Sequence, residues 1–386
     1  MRLIYLQSKT FLAREIENAL RKRPDLQPAI VSLPPAIAPE ASPEIFEQIR
    51  QFLPALVLSI NNAGYDDAGK LSDLIASSGS YQLNWFTDDP FYEEIRYGRR
   101  RPNSRNRIDF VTEPAFLKQM RQSGMEAHFL PLATDPAFFG TDSPVDYQRD
   151  IAFVGNSGLE FMDGLISEEM AKELEKHAAL INQVKNRYFG NPRMDVGTFL
   201  GAHAGELRQS SLSPDLLGFL VAWMAGYLYR RDFIVEISRR YKDRFTCFGD
   251  IYWSKFITES HVSTDACYYT NLCSYYRSTR VNLNINRIQI PTAFTQRIFD
   301  CMASRAFLLT EKRALNSEFF ISSGPGQELV EFSSLQECFT LIDYYCLHND
   351  EREKIAGAGR DKVLKYHTYD NRLQEMLDIC RKAWGI

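Results

Sequence analysis

The chain has 386 residues, 45% of them apolar and 24% charged, proportions of a globular protein that exclude disorder, collagen or a coiled coil as a description of the whole. With 45 basic against 49 acidic side chains the formal net charge is -4, a field that does not draw a polyanion to the surface at large, so nucleic acid is not an expected partner. The length fits two domains, each able to bury its own core.

Short apolar runs at residues 3–6, 29–33, 55–60, 82–86, 108–111 and 127–130 read as buried strands. Residues 11–23, 43–52, 68–77 and 114–123 carry helical periodicity between them, an alternation that predicts a parallel sheet covered by helices. Residues 131–149 hold three prolines and no clear period, and the domain boundary is expected there. The spacing therefore predicts an N-terminal domain over 1–135, a linker over 136–149, a second domain over 150–370 and a C-terminal helix over 371–386 that packs back on the first domain.

The second series opens with a strand at 150–154 and is interrupted by a helical insertion over about 164–229. Within it lies the longest apolar run, residues 216–229, short of the roughly 20 residues that cross a bilayer. Ser213, Pro214 and Asp215 open it as a helix and Arg230 and Arg231 are expected to close it; a buried helix is the simpler reading and a peripheral membrane anchor the alternative. Alternation resumes with helix 232–241, strand 244–248, helix 271–278, strand 281–285, helix 292–304, strand 306–310, strand 328–332, and helices 335–346, 350–366 and 370–384. No transmembrane segment is expected, and seven cysteines without a C-x-x-C pair fit reduced thiols in the cytosol.

Several motifs fail on inspection. Gly64 to Lys70 nearly spells a phosphate-binding loop, but Leu71 stands where a metal-binding Ser or Thr belongs and Asp66 and Asp67 would repel phosphate. There is no G-x-G-x-x-G, H-E-x-x-H, G-x-S-x-G or D-x-D, and the six histidines have no ligand spacing, so neither a metal nor a cofactor is expected. The arginines Arg96, Arg99, Arg100, Arg101, Arg105 and Arg107 are broken by Gly98, Pro102 and Asn103 and read as a loop, either solvated or touching an anionic partner.

Ligands of open α/β sheets gather at the carboxyl ends of strands, and four segments map there. Gly155, Asn156 and Ser157 have small side chains that let backbone amides approach a phosphate, or they make a tight turn. Gly249, Asp250 and Tyr252 follow a strand, where an aromatic either stacks on a base or packs in the core. Asn284 and Asn286 end a strand that feeds a helix carrying Arg297 and Asp300 on one face. There the arginine can bridge a diphosphate and the carboxylate can accept two ribose hydroxyls, or the two form an intrahelical ion pair. Asp88 and Asp89 precede Pro90 after an N-domain strand, as a general base or as an Asx turn, with Asp88 the better base because the residue before proline is confined to extended geometry.

These segments follow one another in an order that resembles the CgeB-like glycosyltransferases, relatives of the group 1 glycosyltransferases. The resemblance rests on LVLSINNAG, NWFTDDP, FVTEPAFLKQMRQSGMEAHFLPLATDPAFF, DIAFVGNS, RVNLNIN, TQRIFDCMASRAFLLTE and KYHTYDNR. It implies an α/β GT-B fold of two Rossmann-like domains facing across a crevice, with a nucleotide sugar held mainly by the C-terminal domain, an acceptor over the N-terminal domain near Asn61, Asn62 and Trp85, and no obligatory metal. Two positions depart from the family: Asp300 stands where it usually has Glu, and Arg305 where it usually has glycine. The expected activity is metal-independent transfer of a sugar from a nucleoside diphosphate to a hydroxyl of a glycan, protein or envelope precursor. Its rivals are a GT-B sugar-nucleotide epimerase and a non-catalytic member that binds a partner through the insertion.

Overall fold

A strand covered on both faces of a parallel sheet is apolar along most of its length, and the apolar runs of this chain lie in two such sheets. The computed structural model describes residues 2–8, 12–34, 41–91, 106–141, 146–159, 166–190, 195–286, 288 and 291–386. They form two compact units, Met1–Asp135 with His367–Ile386, and Pro136–Tyr366.

The first unit holds β1 (Leu3–Gln7), β2 (Pro28–Ser32), β3 (Leu56–Ile60), β4 (Tyr81–Phe86), β5 (Arg107–Val111) and β6 (Ala127–Phe129) in the order β2-β1-β3-β4-β5-β6, all parallel. The order reverses between β1 and β3, so the residues just past β3 stand at a topological switch point. The C-terminal helix Tyr369–Trp384 belongs to this unit. Its Trp384 stacks on Tyr81 at 4.3 Å, and Arg372 Nε donates to the Pro131 carbonyl at 2.8 Å. Thr368 and Asn371 close its first turn with a reciprocal capping box.

The second unit holds β7 (Arg149–Val154), β8 (Phe245–Phe248), β9 (Val262–Ser263), β10 (Thr279–Asn284), β11 (Leu308–Glu311) and β12 (Val330–Phe332) in the order β12-β11-β10-β7-β8-β9, again all parallel. Its switch point lies between β7 and β10. The edge strand β9, two residues long, carries no apolar run and is absent from the sequence-based expectation. The short helix Pro136–Phe139 packs within this unit, Phe139 lying edge-on to Tyr268 at 5.1 Å.

The insertion comprises helices Glu168–Lys176, Ala178–Gly190, Val196–Gly201 and Ala204–Leu207, followed by a 28-residue helix, Pro214–Tyr241. This corrects the expected break after residue 229. Arg230 is buried mid-helix and Arg231 pairs with Asp232 at 2.7 Å, so the two arginines continue the helix instead of ending it. Ser213 caps its start by accepting from Leu216 N, and its apolar residues Leu217, Leu220, Val221 and Ala225 are buried in the unit's core. No helix among the described residues is long and apolar enough to cross a membrane.

One further expectation is corrected in the first unit. Arg107 is not a loop residue: it opens β5 and forms a buried ion pair with Asp109 at 2.7 Å. Arg96, Arg99, Arg100, Arg101 and Arg105 lie outside the described residues. In the near-miss phosphate loop, the Asp66 carboxylate accepts from Lys70 N at 3.0 Å and Leu71 N at 2.9 Å, occupying the helix start that a phosphate would need.

Candidate functional site

In the second unit, β7 and β8 deliver two small-residue turns side by side. Gly155 N donates to the Phe248 carbonyl at 2.8 Å, and the Gly155 carbonyl accepts from Trp253 Nε1 at 2.8 Å. A Cβ at Gly249 would lie 2.5 Å from the Gly155 oxygen, so only glycine permits this approach. Asp250 ties the turns together, its Oδ2 accepting from Ser157 N at 2.8 Å, while Asn156 remains exposed. Of the two aromatics after Gly249, Trp253 is core, edge-on to Phe153, whereas Tyr252 is half-buried with the Lys255 ammonium 4.9 Å above its ring.

From the other side of the switch point, β10 brings Asn284. Its Oδ1 accepts from Arg297 Nη1 at 3.3 Å and from the Thr295 hydroxyl at 3.2 Å; its Nδ2 donates to Thr310 Oγ1 at 2.9 Å and Asn286 Oδ1 at 3.0 Å. Thr295 precedes helix Gln296–Ala303 but its side chain does not cap it, being turned to Asn284. Arg297 crosses toward β7. A Cβ on Gly155 would lie 3.3 Å from Arg297 Nη2, and the guanidinium stands 5.8 Å from the Phe153 ring. Gly155, Asn284 and Arg297 therefore meet beside the start of this helix; the Gly155 and Ser157 amides, expected to approach a phosphate, are already bonded within the turns, and what suits an anion there is the Arg297 guanidinium with a helix start that carries no side-chain cap. Asp300, one turn on, is buried and accepts from the Tyr268 hydroxyl at 2.9 Å.

In the first unit, Asn61 and Asn62 both adopt left-handed backbone, φ 49° and 56°, just past β3. Asparagine tolerates this because its amide bonds nearby backbone. Asn61 Oδ1 accepts from Thr87 N at 2.8 Å while its Nδ2 donates to Thr87 Oγ1 at 2.9 Å and Asp88 Oδ2 at 3.2 Å. Asn62 N donates to Asn84 Oδ1 at 2.7 Å, and Asn62 Oδ1 accepts from Arg107. The exposed Asp88 carboxylate is thus held by Asn61. Asp89 Oδ1 accepts from Phe91 N at 2.9 Å, an Asx turn, and burial, helped by the Asp88 charge, pushes its carboxyl up to about 6.

Trp85 is a correction: it is wholly buried, its indole donating to the Leu130 carbonyl at 3.0 Å, and a ring in the core cannot face an acceptor. Sequence reasoning also missed Glu311. It is wholly buried at the end of β11, where its Oε2 accepts from Asn286 N at 2.7 Å and lies 3.6 Å from the Arg313 guanidinium, and its Oε1 accepts from the Tyr229 hydroxyl. Burial raises its carboxyl above the ordinary range. The only sequence signal was an acid ending an apolar strand. Among the described residues no three His, Cys, Asp or Glu side chains gather as a metal site.

Residues 230–378 match the family model described as Glycosyl transferase-like. No curated protein matches the chain. A glycosyltransferase from Rickettsia africae ESF-5 is similar over 99% of this chain and 98% of its own, at 11% identity and a TM-score of 0.53. A DNA-modifying beta-glucosyltransferase, studied with and without its substrate uridine diphosphoglucose, is similar over the full length of both chains at 12% identity and a TM-score of 0.52. Anabaena HepE in complex with UDP and glucose is similar over 99% and 100%, at 8% identity and 0.51. The two parallel six-stranded sheets thus have the fold of the GT-B glycosyltransferases.

Proposed function

We propose that the protein transfers a sugar from a nucleoside diphosphate donor, bound by the second unit, to a hydroxyl of a glycan, protein or envelope precursor bound by the first. The observation that carries this reading is the meeting of Gly155, Asn284 and Arg297 at the switch point, at the start of a helix whose N-cap side chain is turned away. A leaving diphosphate gains negative charge as the glycosidic bond breaks. The Arg297 guanidinium and the helix dipole meet that charge from fixed positions and need no metal to do so. Asp300, buried against the Tyr268 hydroxyl, braces the helix behind the donor without touching the ribose, and the half-buried Tyr252 offers a face to the base. At the first unit, Asp88 accepts the acceptor's proton while Asn61 holds the carboxylate in place. Six of the seven cysteines are buried, which supports action in the reducing cytosol.

The test is to incubate the protein with UDP, GDP and dTDP sugars and follow the products by mass. Slow release of free sugar and nucleoside diphosphate is the expected result. An isomeric nucleotide sugar would replace this reading with an epimerase, and no turnover with any donor would leave a partner-binding protein.

A further inference from the structure

β10 ends its ladder where Asn284 pairs with Thr310, yet the chain continues buried through Ile285 and Asn286. A buried backbone N–H past the end of a ladder needs another acceptor. The Glu311 side chain provides it, reaching from β11 to Asn286 N at 2.7 Å. An isolated buried carboxylate is costly, so its remaining partners matter: the Arg313 guanidinium at 3.6 Å and the hydroxyl of Tyr229, which comes from the inserted helix Pro214–Tyr241. From Asn286 the bonds continue without a gap, Asn286 Oδ1 to Asn284 Nδ2 at 3.0 Å and Asn284 Oδ1 to Arg297 Nη1 at 3.3 Å.

We infer that Glu311, clamped by Tyr229, is a positioning residue that sets Arg297 for the donor's diphosphate, which makes the helical insertion a brace of the nucleotide site. This rests on the reading of Arg297 as the diphosphate contact. A plain core ion pair would support the fold as a whole and would treat nucleoside and nucleotide alike. A positioning role acts on the phosphates alone, because the residue at the end of the chain of bonds is the cation.

The experiment titrates UDP and uridine calorimetrically into the parent, Tyr229→Phe, Glu311→Gln and Arg297→Ala, with melting temperatures alongside. Tyr229→Phe and Glu311→Gln are expected to bind UDP about five- to tenfold more weakly with uridine affinity unchanged, and Arg297→Ala to lose about tenfold or more for UDP alone. Adding Tyr229→Phe to Arg297→Ala should cost no further UDP affinity, since the residue being positioned is gone. If Arg297→Ala changes the UDP-to-uridine ratio while Tyr229→Phe does not, the inference is overturned and the donor reading stands. An Arg297→Ala variant with an unchanged ratio removes the donor reading and the inference with it. Tyr229→Phe, which loses one hydroxyl and no volume to speak of, decides the matter if Glu311→Gln does not fold.

Discussion

Arg297 and Asp88 carry the proposed chemistry. A charge-assisted contact to phosphate contributes about 1.5 to 3 kcal/mol, so Arg297→Ala should weaken the best nucleoside diphosphate by that amount; equal affinities would make the arginine structural. Asp88→Asn keeps the shape and the Asn61 contact but cannot take a proton, and should cost about 100-fold or more in single-turnover transfer at an unchanged melting temperature. Asp89 should behave otherwise. Its carboxyl sits near 6 in the folded chain against an ordinary 3.8, so the folded state holds the proton more tightly than the unfolded one. The stability this contributes is complete below about pH 4 and is lost as the pH rises through about 6. Asp89→Asn stays neutral throughout; its melting temperature should gain on the parent's across that window while its transfer rate stays near parental, and parallel pH profiles would contradict this. The meeting of Arg297 with Gly155 was legible because both follow apolar strands. The burial of Trp85 was not, since an aromatic at a strand end faces core or solvent according to what the rest of the chain packs over it.

Elements were legible where the pattern was long. Mostly apolar runs such as Leu3–Gln7 and Leu56–Ile60 mark buried strands, and Ser213 marks a helix start as its cap. The fused helix Pro214–Tyr241 was not, because paired arginines resemble a helix end unless one knows that Arg230 is buried. The turn after helix Gln296–Ala303 explains the glycine usual in the similar family. Arg305 stands there at φ 54°, its N–H bonded to the Met302 carbonyl at 2.9 Å, in left-handed backbone that penalises any Cβ. Arg305 is exposed, so Arg305→Gly should stabilise the protein by about 0.5 to 1 kcal/mol in denaturant melts. A loss of stability would mean the arginine side chain makes up for its strained backbone.

For the whole molecule, both units place their candidate residues where strand order reverses, Asn61 past β3 in one and Gly155 with Asn284 past β7 and β10 in the other. Strand order depends on pairing between distant segments, which a reading of local pattern does not supply; it is the step from two strings of strands to two sites. Because Arg297 and a helix start carry the diphosphate charge in this account, turnover should survive excess EDTA, and loss restored by magnesium or manganese would contradict it. Binding of a nucleotide at the switch point of the second unit is measured by hydrogen exchange of the parent with and without saturating nucleoside diphosphate. Exchange should slow in peptides covering residues 153–158, 249–253, 284–286 and 295–301; protection confined to other segments, or none with UDP, GDP or dTDP, would contradict a nucleotide site there.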